Sequence, residues 1–207
     1  MTVEEKIRRI NRLRAQIAQC QRCRLHKTRT HTVPGEGSVL ASVMFIGEAP
    51  GRNEDLQGKP FVGRAGDIFD RLLVSVGLTR DDIYLCNILK CRPPGNRNPL
   101  SDEIHACVGS LDIQLKVVNP RVVATLGNFA TTYIFEKFGL APAKISETHG
   151  KIINVDTPEG LKKIIPLFHP AVATYNINKI DILLKDFRIL RAVLKEETVC
   201  PSVSIDS

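Results

Sequence analysis

The chain lacks the features that would place it in or across a membrane. None of its apolar runs approaches the roughly 18 residues that a transmembrane helix needs. The amino-terminal stretch MTVEEKIRRINRLRAQI carries charged residues throughout, whereas a secretory signal has an uninterrupted apolar segment there. The sequence also contains no internal repeat and no low-complexity tract. We therefore expect a cytoplasmic globular protein that makes no contact with a membrane.

Length and composition suit one folded domain. The chain has 207 residues, of which 43% are hydrophobic and 25% charged, as in ordinary globular proteins. We predict a single domain over residues 1–197 and a disordered tail over residues 198–207. We expect the protein to be a monomer.

Positive charge is concentrated at the amino terminus. The net charge is +7, and residues 1–30 carry nine Lys or Arg against two Glu, so the rest of the chain is balanced. Such a surplus marks either a solvated basic helix or a surface that binds a polyanion. The sequence leaves both interpretations open.

Strand-like and helix-like segments alternate along the chain. Buried-strand patterns occur at residues 42–46, 83–88, 121–126 and 164–168, with a further candidate at residues 151–156. Helical patterns occur at residues 3–19, 64–76, 101–117, 128–138 and 177–195. This alternation favours an α/β fold, a three-layer α/β/α sandwich whose central sheet has four parallel strands.

The loop GEAPGRNEDLQGKPFVGRAG, residues 47–66, is the most informative segment. It follows a buried strand, at the end of the sheet where open α/β folds bind their ligands. Its five glycines, Gly47 among them, let backbone N–H groups approach a ligand closely. The loop also carries the carboxylates of Glu48 and Glu54 and the flat apolar ring of Phe61. This mixture suits a nucleobase or another flat polar heterocycle better than a phosphate.

Six cysteines in a reducing compartment are more often metal ligands or buried thiols than disulfides. The candidate ligands are Cys20 and Cys23, which form a CxxC pair, and Cys91 and Cys107, which flank a rigid Arg-Pro-Pro-Gly loop. Four such thiolates could hold zinc or an iron–sulfur cluster, and their spacing alone does not choose between the two. Four unrelated buried thiols are the alternative. Cys86 is predicted to be a core residue, and Cys200 a free thiol in the tail.

Several motifs, taken in order, resemble those of the family 4 uracil-DNA glycosylases, the iron–sulfur type of thermophilic bacteria and archaea. They are the CxxC pair, GEAPG at residues 47–51, GKPFVGRAG at 58–66, NILKCRPPGNRNP at 87–99, Cys107, and HPA at 169–171. The series covers roughly residues 20 to 175. HPA alone would mean little, whereas the order and spacing of the whole series are specific.

The resemblance implies an enzyme of base excision repair that acts on uracil-containing DNA. It would hydrolyse the N-glycosidic bond of uracil and leave an abasic site. The target base must first be flipped out of the duplex, at a cost of roughly a few kcal/mol. The resemblance also implies a [4Fe–4S] cluster held by Cys20, Cys23, Cys91 and Cys107.

Three side chains are the candidates for handling the flipped base. Phe61 would stack on it, an interaction worth about 1–3 kcal/mol that does not depend on base identity. Asn87 would read uracil by accepting a hydrogen bond from N3–H and donating one to O4. His169, as a neutral imidazole, would donate to O2, where negative charge develops as the base departs. A core Phe, an Asn that caps its strand and a structural His are the alternatives.

The roles of Glu48 and Glu54 are less direct. The backbone around Glu48 and Ala49 is predicted to position water or to bind uracil O2. Family 1 enzymes carry an Asp in the corresponding loop, and Ala49 stands in its place here, which argues against water activation by that route. We expect Glu54 to lie near C5 of uracil and to exclude the methyl group of thymine. Either Glu could instead be a solvated loop charge.

Further residues are predicted to engage DNA. Tyr175, in the loop after HPA, is the candidate for filling the gap left by the flipped nucleotide, unless it packs on the last helix. Arg92 and Arg97, together with Arg52 and Lys59, lie in loops on the same edge of the sheet and could contact phosphates.

Two other functions fit the sequence less well. A basic metal-binding module that only held nucleic acid would not need Glu48, Asn87 and His169 at strand ends. A phosphate-handling enzyme is disfavoured because GK[ST] is absent and Glu48 and Glu54 would repel a phosphate. A related glycosylase that accepts hypoxanthine or another damaged base stays open. The remaining histidines are expected to be structural: His26, His31, His105 and His149.

Overall fold

Three strands are buried along their whole length, as expected at the centre of a parallel sheet that is covered on both faces. In the computed structural model, which describes residues 1–198, they belong to a sheet of six strands. The strands are β1 Glu36–Gly37, β2 Val43–Gly47, β3 Ile83–Asn87, β4 Val122–Leu126, β5 Ile153–Thr157 and β6 Gly160–Leu167.

The strand order is β1-β3-β2-β4-β6-β5. The four central strands are parallel, and the two edge strands pair antiparallel with their neighbours. The predicted α/β/α sandwich with four parallel strands is therefore confirmed, and the structure adds β1 and β5 at the edges. Strand β5 corresponds to the further candidate at residues 151–156. Strand β1 has two residues, too few to produce a hydrophobic period.

Helices cover both faces of the sheet. They are α1 Val3–Ala18, α2 Arg52–Gln57, α3 Arg64–Ser75, α4 Ser101–Val118, α5 Asn128–Lys137, α6 Ile145–Thr148, α7 Val172–Tyr175 and α8 Ile180–Thr198. Alternate side chains of β2 separate two cores. Met44 and Ile46 face the core that α1, α4 and α5 complete, whereas Val43 and Phe45 face the core of α3 and α8.

The predicted boundaries hold to within a few residues, with two larger differences. Strand β6 begins at Gly160, four residues before its predicted start, because it forms an antiparallel hairpin with β5. The last helix begins at Ile180, after a short 3₁₀ turn over Ile177–Lys179. It runs to Thr198, and the rest of the predicted tail, with Cys200, lies outside the described residues. Within residues 1–198, no helix combines the length and apolar character needed to cross a bilayer.

Candidate active site

A cleft of about 860 Å³ opens at the carboxyl edge of the parallel strands. The register of the sheet creates it, because Gly47 at the end of β2 pairs with Asn87 at the end of β3. Strand β6 ends at Leu167, so His169 emerges at the same edge. The cleft brings together six predicted residues: Glu48, Ala49, Glu54, Phe61, Asn87 and His169. Three residues predicted to engage DNA also line it: Arg52, Arg97 and Tyr175.

The side chain of Asn87 is the clearest sign of a ligand. It is only 2% exposed, and its Oδ1 is buried without a hydrogen-bond partner among the described residues. A buried acceptor left unpaired costs about 1–3 kcal/mol, so native proteins rarely tolerate one without a function. The backbone carbonyl of the same residue accepts a hydrogen bond of 2.6 Å from the buried ammonium of Lys90. The main chain is therefore anchored while the side-chain oxygen is left for a donor.

Gly47 makes room for this arrangement. A Cβ at this position would lie 2.3 Å from Oδ1 of Asn87 and 3.0 Å from Cζ of Phe61. Any larger residue would displace one of the two side chains. Gly47 thus lies directly behind the pocket wall, where its role is to let two other residues approach.

Phe61 forms an aromatic wall with His169. The two rings are stacked, with their centroids 5.4 Å apart and their planes at 25°. Phe61 is 5% exposed and also packs on Phe69 at 5.2 Å. It therefore belongs to the core and lines the cleft at the same time, so the two alternative interpretations of this residue are compatible.

His169 is held as a neutral donor. Its Nδ1 accepts a hydrogen bond of 3.1 Å from the backbone N–H of Ala171, so the ring proton resides on Nε2. Desolvation lowers the pKa of His169 to about 4. At neutral pH the ring is uncharged and carries a single N–H, as the neutral-donor hypothesis requires.

The carboxylates of Glu48 and Glu54 differ in their surroundings. Oε1 of Glu54 accepts hydrogen bonds of 3.0 Å from the backbone N–H groups of Val62 and Gly63, which fix it beside the Phe61 loop. Burial in the cleft raises the pKa of Glu48. The backbone carbonyl of Glu48 accepts a hydrogen bond of 3.0 Å from Leu89 and so extends the sheet. Ala49 contributes only its backbone and a methyl group.

The predicted DNA-contacting residues have different surroundings. Tyr175, on α7, is 92% exposed, which excludes the alternative that it packs on the last helix. Arg97 lines the cleft but pairs with the fully buried carboxylate of Glu103 at 2.6 Å. Arg92 donates a 2.6 Å hydrogen bond to Oδ1 of Asn96 in an exposed turn and is not among the residues that line the cleft.

Arg64 and Asn96 are among the further side chains that line the cleft and that the sequence did not single out. Arg64 stands at the start of α3, and Asn96 adopts a left-handed backbone after Gly95. Both lie inside the motifs quoted for the family. Their place in the motifs that follow β2 and include the end of β3 was a signal, but neither residue type suggested a particular chemistry.

The four candidate ligand cysteines surround one small cavity of about 20 Å³, between the end of α1, the loop after β3, and α4. Three of their sulfur atoms accept hydrogen bonds. Arg22 donates to Cys20 at 3.3 Å, Arg29 to Cys91 at 3.1 Å, and the backbone N–H of Lys90 to Cys107 at 3.3 Å. Hydrogen bonds to sulfur are the kind that supports a bound iron–sulfur cluster, so these residues fit such a group.

The electrostatics of this cavity are mixed. Burial raises the pKa of Cys91 to about 11, although the nearby Arg29 opposes the shift. Burial also acts to raise the pKa of Cys20, but the hydrogen bonds and positive charge of Arg22 outweigh it and lower that pKa. Within residues 1–198, no three His, Cys, Asp or Glu side chains are arranged to hold a single metal ion. Cys86 is fully buried in the core, as predicted.

The other histidines make local contacts. Nδ1 of His26 lies 2.7 Å from the carbonyl of Cys23, that of His31 3.1 Å from the carbonyl of Asp55, and that of His105 2.7 Å from the carbonyl of Ser101. His149 pairs with the buried carboxylate of Asp186 at 2.9 Å. None of these four residues lines the described cleft.

Comparison with known proteins identifies the family. The model of the Uracil DNA glycosylase superfamily matches residues 34–195. The chain is 43% identical to the type-4 uracil-DNA glycosylase of Archaeoglobus fulgidus over 84% of this chain and 87% of that protein. It is 42% identical to that of Sulfurisphaera tokodaii over 88% and 83%, and 39% identical to that of Thermotoga maritima over 87% and 92%. The chain belongs to the uracil-DNA glycosylase superfamily, and within it to the type-4 enzymes.

Proposed function

We propose that this protein is a uracil-DNA glycosylase, which hydrolyses the N-glycosidic bond of a uracil flipped out of DNA and leaves an abasic site for base excision repair. The observation that carries the proposal is the buried, unpaired Oδ1 of Asn87 in a cleft that also holds an aromatic wall and a neutral imidazole donor. The type-4 relatives are named for this activity.

Recognition of the base rests on Asn87, Phe61 and Gly47. Oδ1 of Asn87 accepts from N3–H of uracil, which satisfies the acceptor that is unpaired in the free protein. Its amide N–H donates to O4. Phe61 stacks on the ring, and the missing side chain of Gly47 keeps both groups close to the strand. A mismatched base would leave the buried oxygen unpaired again.

Departure of the base rests on His169. The Nε2–H of its neutral ring donates to uracil O2 and stabilises the charge that forms as the glycosidic bond breaks. Because the low pKa keeps the ring neutral, it assists as a hydrogen-bond donor and holds its own proton. The backbone around Glu48 and Ala49 is the proposed place for the attacking water, which captures the sugar cation.

Rejection of thymine rests on Glu54. Its two backbone hydrogen bonds hold the carboxylate in one position on the cleft wall, so it cannot swing aside for a methyl group at C5. We expect Glu54→Ala to begin to release thymine from DNA. Unchanged rejection of thymine by this variant would contradict the assignment.

Engagement of DNA rests on exposed groups around the cleft. Tyr175 is the proposed wedge, since a Tyr that is 92% exposed beside the pocket has no packing role to explain it. Arg92 and Arg97 are the proposed phosphate contacts, with Arg97 held toward the cleft by Glu103. We keep the expectation of a monomeric, cytoplasmic enzyme.

A [4Fe–4S] cluster is proposed on the four cysteines Cys20, Cys23, Cys91 and Cys107. Their common cavity and the three N–H groups that already point at their sulfurs support this assignment. When bound, the cluster would supply a cross-link between three segments of the chain. The residues of the cleft, and not the cluster, would act on the base.

A duplex with one labelled uracil tests the proposed function. The pure protein is added, and alkali then cleaves the strand wherever a base has been removed. Matched duplexes carry cytosine, thymine or hypoxanthine at the same position. Cleavage at uracil alone is the expected result. Cleavage at hypoxanthine as well would indicate a broader pocket, and no cleavage at any of them would contradict the proposal.

A further inference from the structure

The backbone of Phe61 adopts a conformation that its residue type disfavours. Its φ is 53°, in the left-handed region that is sparsely populated by bulky L-residues. Such a conformation persists only where the surroundings impose it, and it is typical of functional sites. In the same residue, the side chain forms the aromatic wall of the cleft. The group that holds this backbone therefore also sets the position of the ring.

Arg80 is in contact with this backbone from outside the cleft. Its Nη1 donates a hydrogen bond of 3.0 Å to the carbonyl of Pro60, and its Nη2 donates to the carbonyl of Phe61. Two carboxylates hold the guanidinium in place. Its Nε donates to Asp70 at 2.8 Å and its Nη1 to Glu36 at 2.8 Å. Arg80 thus links α3 and β1 to two consecutive backbone carbonyls, those of Pro60 and Phe61.

Gly66 packs against the other side of the Phe61 carbonyl. A Cβ at Gly66 would lie 1.9 Å from the carbonyl oxygen of Phe61 and 2.4 Å from its carbon. The carbonyl is therefore confined between the first turn of α3 and the guanidinium of Arg80. A guanidinium suits this place because its rigid fork donates in several directions at once, which the single ammonium of a Lys cannot reproduce.

We propose that Arg80 is a positioning residue, which acts on base excision by holding Phe61 in the left-handed conformation that places its ring against His169. The inference rests on the proposed function and deepens it. Arg80 does not line the cleft and touches no reacting atom. Its side chain is 27% exposed, and its ion pairs with Glu36 and Asp70 fix the guanidinium beside these carbonyls.

A double-mutant cycle tests the proposal. Single-turnover excision of uracil is measured for the wild type, Arg80→Gln, Phe61→Ala and the double variant. We expect Arg80→Gln to lower the rate constant at saturating enzyme by about 10- to 100-fold, because small displacements of a positioning group have effects of this size. The enzyme concentration that gives half the maximal rate should change by less than about 3-fold. In the Phe61→Ala background the same substitution should cost less than about 2-fold.

Control variants separate positioning from loss of stability. Arg71→Gln removes the same charge from the exposed face of α3, and Lys162→Met breaks the buried hydrogen bonds of Lys162 to Asn119 and Pro120 far from the cleft. Neither should lower the rate constant. Arg80→Lys should recover only a small part of it. If Arg80→Gln fails to fold, Asp70→Asn, which frees one side of the guanidinium, should show a smaller loss with the same dependence on Phe61.

A crystal structure of Arg80→Gln gives a readout that does not depend on activity. We expect φ of residue 61 to leave the left-handed region or its ring to separate from His169. An unchanged loop would overturn the proposal, as would equal losses of rate with and without Phe61. Absence of uracil release by the wild type would instead contradict the proposed function, and the crystal structure would still decide the role of Arg80.

Discussion

At the scale of single residues, the informative feature of the site is an atom that lacks a partner. A buried amide oxygen that accepts no hydrogen bond is poorly solvated and unpaired, and a ligand donor removes that penalty. The other three proposed recognition elements line the same cleft: a flat ring, an imidazole N–H and a fixed carboxylate. In the proposed function, these groups together bind a planar base that has a donor next to its carbonyl groups.

Asn87→Asp should remove uracil recognition. An ionised carboxylate cannot donate to O4 and must be buried with its charge, so we expect excision to fall by roughly 100-fold or more. Asn154→Asp, on the exposed face of the edge strand β5, introduces the same change far from the cleft and should leave excision unchanged. Single-turnover assays on the uracil duplex make the comparison. Equal rates for Asn87→Asp and the wild type would contradict the assignment.

The neutral state of His169 has a consequence for stability. Its pKa falls from an ordinary value of 6.5 to about 4 in the folded protein, so between these values the unfolded chain binds more protons. The free energy of unfolding is therefore highest above pH 6.5 and decreases as the pH falls toward 4, by up to about 3 kcal/mol. Denaturant unfolding at several pH values measures it. The free energy of unfolding of His169→Gln should lack this decrease at low pH. Parallel pH profiles for the two proteins would contradict the assignment of His169 as a buried neutral residue.

At the scale of elements, the packing of α3 against the Phe61 loop determines the shape of the pocket. Gly66→Ala introduces a Cβ that collides with the Phe61 carbonyl, so the loop must shift. We expect a folded protein whose excision rate falls at least 10-fold. Gly109→Ala, within α4, meets its nearest atom at 4.0 Å and should gain about 0.5–1 kcal/mol of stability. A fully active Gly66→Ala would show that the loop position does not matter.

The cavity lined by the four candidate ligand cysteines lies where three segments of the chain meet. If it holds the proposed cluster, the pure protein should contain about four irons per chain and absorb visible light. Cys107→Ser should lose that absorbance and lower the melting temperature, because α1, α4 and the loop after β3 are no longer cross-linked. Cys86→Ser, at a buried cysteine outside this set, should keep the iron. Iron content that is equal in Cys107→Ser and the wild type would contradict the ligand assignment.

The sequence predicts most elements but only part of the site. The apolar runs of β2, β3 and β4 and the amphipathic helices carry strong periodic signals. The motif residues at strand ends are predictable because parallel strands bring their carboxyl ends together. Strand β1 escapes prediction because two residues show no period. The role of Arg80 is not predictable from the sequence either. Its contact with Phe61 spans 19 residues and depends on a left-handed φ at Phe61, which the sequence does not indicate.

At the scale of the whole molecule, the charge distribution should govern the encounter with DNA. Removing one phosphate contact should reduce the slope of log affinity against log salt concentration by about 1. We expect this of Arg92→Gln, with an unchanged melting temperature, since its hydrogen-bond partner is in an exposed turn. Arg97→Gln should also lower the melting temperature, because it leaves the buried Glu103 unpaired. Identical salt slopes for Arg92→Gln and the wild type would remove Arg92 from the interface.

The most direct measurement is a crystal structure with a duplex that carries a 2′-fluorinated deoxyuridine, whose glycosidic bond resists hydrolysis. We expect a flipped uracil stacked on Phe61, with its N3–H donating to Oδ1 of Asn87 and its O2 accepting from Nε2 of His169. Uracil bound elsewhere, or bound in this cleft with Oδ1 of Asn87 still unpaired, would contradict the proposed recognition of uracil.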